Sequence, residues 1–96
     1  MRVAKEGRRA QICGIVQACA DVDSPPTMRE IARWLGLKKT PYLEKLIKEM
    51  LSQGLLTESL KTEINGHPTR IYSPTNHPYY EMLGNLKDQY KKEIYS

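Results

Sequence analysis

No run of ten consecutive apolar residues occurs in this 96-residue chain, so it offers neither a membrane-spanning segment nor the apolar core of a signal peptide. A cytoplasmic location is the default that follows. Cysteine is scarce as well: Cys13 and Cys19 sit six positions apart on one expected helix, point to different sides and cannot bridge, so they are expected as small buried apolar side chains. The only histidines, His67 and His77, are separated by prolines with no cysteine nearby, so no metal site is expected. There is no glycine-rich phosphate loop, no HExxH and no nucleophile elbow, and the carboxylates are scattered over expected solvent faces. Neither an enzyme nor a cofactor is expected from such a chain. Its length suits one domain with a single modest core, not a core plus a deep catalytic cleft.

What is present is unevenly placed. Residues 1–52 hold ten Lys or Arg against six Asp or Glu, while residues 53–96 hold five of each, so the whole net charge of +4 lies in the first half. A basic surface of this size is a pointer to nucleic acid that has to be tested against motifs.

From about Lys5 to Ala20, Ile12, Ile15, Val16 and Cys19 recur at three- and four-residue spacing, the stripe of an amphipathic helix. "DVDSPP" breaks it. Thr27 and Glu30 then form a capping-box pattern, which predicts a second helix from about Met28 to Leu35 with Ile31, Ala32 and Leu35 inward. Gly36 ends that helix with a left-handed turn, and Leu37 drops toward the core. In "KKTP", Thr40 is the expected N-cap and Pro41 the first position of a third helix reaching about Gln53, with Leu43, Leu46, Ile47 and Met50 as its buried stripe. Pro41, Tyr42, Lys45, Lys48, Glu49 and Ser52 fall on its other side. Two short helices, crossing at a small residue and joined by a glycine turn, with lysines outward on the second, are the pattern of a helix-turn-helix.

After Gly54 the pattern changes to strand: "LLTESLKTEI", a turn at "NGHP", and a return in "TRIYS". Three helices and a β-hairpin predict a mainly α fold with a small β element. On these residues the chain resembles the winged helix-turn-helix family of transcriptional regulators over about residues 8–75: "PPTMREIARWLGL" is similar to the second-helix motif of LexA-type repressor domains, and "MLSQGLLTESL" with "TRIYSPT" to the wing of MarR-like regulators. The expected division is a winged helix-turn-helix domain at 1–75 followed by an added C-terminal helix at 76–96.

The resemblance implies a sequence-specific regulator of double-stranded DNA, with the recognition helix, about 40–53, in the major groove and the wing, about 55–73, near the minor groove. It also leaves open a winged helix used as a protein-interaction module within a larger assembly. Carried over by position, Lys38, Lys39 and Thr40 would bind phosphate at the start of the recognition helix, and Tyr42, Lys45 and Lys48 would face the groove. Arg29 and Arg33 on the second helix would reach the backbone or lie on a solvated face. Arg70 is the wing's candidate for the minor groove, although Thr62, Glu63, Asn65 and His67 make the tip less basic than is usual for such wings. Glu44 and Glu49 either pair with Lys48 and Lys45 at four-residue spacing, or Glu44 accepts from a cytosine amine while Glu49 lies outside the contact.

The tail carries one more stripe. Tyr79, Leu83, Leu86, Tyr90 and Ile94 recur at heptad-like spacing, with Gly84 in mid-helix. The stripe is expected to seat a partner helix, either the first helix of its own chain or, as the favoured expectation, the same helix of a second copy. Such a homodimer would present two recognition helices to a palindromic site.

Overall fold

Helix α2 (Met28–Leu35) starts at a complete capping box. The backbone amide of Glu30 donates to the Thr27 hydroxyl at 3.2 Å, and that of Thr27 donates to the Glu30 carboxylate at 3.0 Å, so two amides that a helix start would leave orphaned are bonded. The helix stops at Gly36, whose φ of 73° is the left-handed turn, and Leu37 N–H closes back to the Ala32 carbonyl at 2.9 Å. Five residues later, Pro41 opens α3 (Pro41–Ser52). Thr40 precedes it at the cap position but makes no side-chain cap bond, contrary to its expected role; the Thr40 carbonyl takes the Glu44 amide at 2.7 Å, and the first turn relies on Pro41's fixed φ.

The structure, a computed structural model, describes residues 7–62, 66–84 and 86–95. Around the helix-turn-helix stand α1 (Gly7–Ala20), the antiparallel hairpin β1 (Leu56–Thr62) and β2 (Pro68–Pro74), a 3-10 helix (Pro78–Met82) and α4 (Leu86–Tyr95). The expected start of the first helix at Lys5, and Glu63 and Asn65 at the hairpin tip, lie outside the described residues. The architecture is a mainly α winged helix-turn-helix with an added C-terminal helix.

The core lies where α1, α2, α3 and the base of the hairpin meet, with Ile12, Ile15, Val16, Ile31, Leu43, Ile47, Met50 and Tyr72 almost wholly buried. A third short segment holds the hairpin to the helices. Thr27 bridges Ile71 in antiparallel register, and the Tyr72 amide donates to the Pro26 carbonyl at 3.1 Å. No helix among the described residues is long and apolar enough to cross a membrane.

α1 is buried on more than the one stripe its periodicity predicts: Cys13, Gly14 and Ala18 are buried too. Part of the cause is α4. It lies along α1, and Leu86 and Tyr90 sit so close to Gly14 that a Cβ there would lie 3.1 Å from Leu86 Cγ and 3.2 Å from Tyr90 Cδ2. The C-terminal stripe therefore packs on α1 of its own chain. It is also not one continuous helix, as Gly84 in mid-helix would require; a 3-10 turn ends at Met82, Gly84 takes a φ of 61°, and α4 starts afresh at Leu86. The 3-10 turn is anchored by the Tyr80 hydroxyl, which donates to the Leu55 carbonyl and lies against the Cys13 thiol. Burial pushes the Cys13 and Cys19 thiols up to about 11, so both stay neutral at physiological pH and act as small apolar side chains.

Asp21, just past α1, binds α4 from the other end of the seam, with its Oδ2 3.4 Å from Lys87 Nζ and 2.6 Å from Lys91 Nζ. The hydrogen bond from Lys91, assisted by Lys87, holds the Asp21 carboxyl below the usual carboxylate range. A depressed folded-state pKa adds stability above the unfolded value and loses it as pH falls through the folded one.

Two outcomes follow for stability. Gly14→Val should lower stability by about 1–3 kcal/mol in urea unfolding, because a branched side chain has no room under Leu86 and Tyr90. Asp21→Asn should cost about 0.5–1 kcal/mol at pH 7, a modest value because the pair is partly exposed, and the difference from the parent should shrink as acid protonates the Asp21 carboxylate.

Candidate nucleic-acid interface

Burial divides α3 into two faces. Leu43, Ile47 and Met50 are buried and Leu46 half-buried, while Tyr42, Glu44, Lys45, Lys48 and Glu49 are exposed, Tyr42 to 57%. An exposed tyrosine beside lysines, on a helix whose other face fills the core, leaves side chains free for a partner. Lys38 and Lys39 are exposed in the turn before the helix, and Thr40 is half-buried beside them.

The hairpin brings a second set of cations to this helix. Lys45 and Lys48 line one groove between α3 and the hairpin together with Arg70 and Glu58. A second groove runs between α2 and the hairpin, and Arg29, Arg33, Lys61 and Arg70 line it with Glu30 and Glu44. Arg70 thus borders both. Strand register accounts for its position: Arg70 stands opposite Leu60, one diagonal step from Glu58, and its Nε lies 3.9 Å from the Glu58 carboxylate. The Arg70 side chain is 66% exposed, so this ion pair is weak and leaves the guanidinium available. Glu58 also faces the buried Tyr72, whose hydroxyl is pushed up chiefly by its own burial and secondarily by that carboxylate.

Of the residues named from sequence, Lys45, Lys48 and Arg70 meet along one groove, and Arg29 joins Arg70 in the other. Lys38, Lys39, Thr40 and Tyr42 line neither groove and stand at the exposed start of α3. Lys61 is an addition that sequence reasoning passed over. Alternation along β1 could not have found it, because the Lys61–Thr69 and Leu60–Arg70 pairs are adjacent in the ladder and so point to opposite faces of the hairpin. The expected pairing of Glu44 with Lys48 and of Glu49 with Lys45 does not occur: neither carboxylate is ion-paired to a described residue. On an exposed helix face the side-chain entropy lost in holding such a pair cancels most of its Coulomb gain. Among the described residues no group of three or more His, Cys, Asp or Glu is placed to hold a metal ion.

No family model matches the chain, and no curated protein matches its sequence. Among solved structures it is similar to the crystal structure of the circadian clock associated protein Pex from Anabaena, with a TM-score of 0.57 and 20% identity, over 92% of this chain and 80% of that one. A likeness at this identity speaks for the fold alone. Its extent is more than the three helices and hairpin supply, so part of the C-terminal segment is shared.

The face assignment is open to a direct check. Lys45→Ala should leave the thermal midpoint almost unchanged, whereas Ile47→Ala should cost about 2–4 kcal/mol through the cavity left in the core. Unfolding of Lys45→Ala would show that α3 is turned the other way.

Proposed function

We propose that this chain is a sequence-specific double-stranded DNA-binding transcriptional regulator that lays α3 in the major groove, with the hairpin against the neighbouring backbone and minor groove. The observation that carries the reading is the meeting of Lys45 and Lys48 of α3 with Arg70 of the hairpin along one groove, continued by Arg29, Arg33 and Lys61 in the next. Cations bordering two grooves beside the exposed face of α3 suit a duplex, whose two strands of phosphate flank the groove that the helix enters.

Roles divide by position. Lys38 and Lys39, before the first turn of α3, meet phosphate together with the free amides of the helix start, and fix register without reading sequence. Thr40 adds a hydroxyl that its absent cap bond leaves available. Tyr42, Lys45 and Lys48 reach base edges, where lysine donates to guanine acceptors and tyrosine meets a phosphate or a thymine methyl. Arg29 and Arg70 approach the backbone on either side. A homodimer spanning two half-sites would need an interface outside the α1–α4 seam, since Leu86 and Tyr90 are seated on Gly14.

Fluorescence anisotropy with a labelled duplex at several salt concentrations tests the reading. Affinity should fall with salt at a log-log slope of about −0.9 for each phosphate neutralised, and the Lys38→Ala, Lys39→Ala double variant should make the slope shallower by about two. Absence of duplex binding at low salt, or binding that ignores salt, would overturn the reading in favour of a protein-interaction module.

A further inference from the structure

Among the carboxylates bordering the two grooves, Glu44 is the one with no hydrogen-bond or ion-pair partner among the described residues. Glu30 closes the capping box on Thr27, and Glu58 faces Arg70 and Tyr72. Glu44 is exposed, lines both grooves, and makes no ion pair with a described residue, although Lys48 stands one turn further along α3 and Arg70 borders the same two grooves. Glu49 is exposed too but lines neither. A carboxylate bordering two cation-lined grooves weakens the hold on any phosphate nearby, so its presence there is a cost for plain electrostatic binding.

We propose that Glu44 is the base-discriminating residue of this surface and accepts a hydrogen bond from the exocyclic amine of a cytosine in the major groove. This rests on the DNA-binding reading and goes further by naming the base. A carboxylate at neutral pH only accepts. The major groove offers it two donors, the cytosine N4 amine and the adenine N6 amine. The adenine amine sits beside the N7 acceptor, which repels a carboxylate, whereas beside the cytosine amine, on the same base, lies a C–H edge. Thymine presents O4 and a methyl group, and guanine presents O6 and N7, so both leave the carboxylate desolvated against acceptors or carbon. Glu44 therefore selects largely by rejection: cytosine restores the hydrogen bond lost on leaving water, and the other bases do not.

Selection of bound duplexes from a randomised pool, using the full chain and the variants Glu44→Ala and Glu44→Gln, decides it. The parent should enrich cytosine at one position of its site. Glu44→Ala should flatten that position alone, with about a 10- to 100-fold loss of discrimination there, and should bind unrelated duplex a few-fold more tightly. Glu44→Gln keeps the shape of the side chain but both donates and accepts, so it should shift the preference at that position from cytosine to adenine, matching the N6 and N7 pair. A parent that selects sequence while both variants enrich the same bases would overturn the assignment of Glu44 and leave the DNA-binding reading intact. A parent that binds duplex without any preference would overturn this inference and the sequence-specific part of that reading together. Should Glu44→Ala unfold well below the parent's midpoint temperature, the isosteric Glu44→Gln decides alone.

Discussion

The placement of the hairpin's candidate DNA contact against those of α2 depends on one short backbone stretch, Pro26 and Thr27. Thr27 begins α2 through its capping box and, in the same residue, bridges Ile71 of β2; the Pro26 carbonyl takes the Tyr72 amide. A two-stranded hairpin is marginal alone in water. Here it gains a third backbone neighbour that is itself the start of the helix-turn-helix, so the hairpin cannot shift relative to α2 without breaking its bond to the Pro26 carbonyl. Arg70 on β2 and Arg29 on α2 consequently border one groove, and the buried Tyr72 fixes the hairpin base against the core.

The back of the molecule serves the same end by different means. Gly14 lets α4 approach α1 to the limit of contact, and Asp21 holds Lys87 and Lys91 at the end of the seam. α1 is thereby buried on several sides and gives α2 and the hairpin a rigid bed. None of the described α4 side chains lines the two cationic grooves, so the support and the surface it supports are separate parts of the chain.

The helix-turn-helix was legible because its signals are local. Thr27 with Glu30, Gly36 after Leu35, and Pro41 each act on their own backbone within one turn, and periodicity gave the buried face of α3. What the sequence concealed depended on neighbours distant in the chain. Gly84 is tolerated in a helix and equally able to end one, and anchoring of Tyr80 to Leu55 accompanies the second outcome. The partner of the C-terminal stripe turned on a glycine seventy residues earlier, whose lack of a side chain is invisible to any pattern within the stripe itself. Arg70 was recognisable as a basic wing residue, but its neighbour Glu58 depended on strand register across a loop of undetermined length. Spacing made a Glu44–Lys48 pair permissible; it could not say that the two would stay apart.

The central claim is that a duplex occupies the face formed by α3, the start of α2 and the hairpin. Its most direct measurement is the mapping of backbone amide chemical shifts in the intact chain as an unlabelled duplex is added. The account predicts that the changes gather at Lys38–Lys48, around Arg29 and Arg33, and at Lys61 and Arg70, while α4 and the face of α1 it covers stay unmoved. Changes centred on α4, or on the far side of α1, would contradict it.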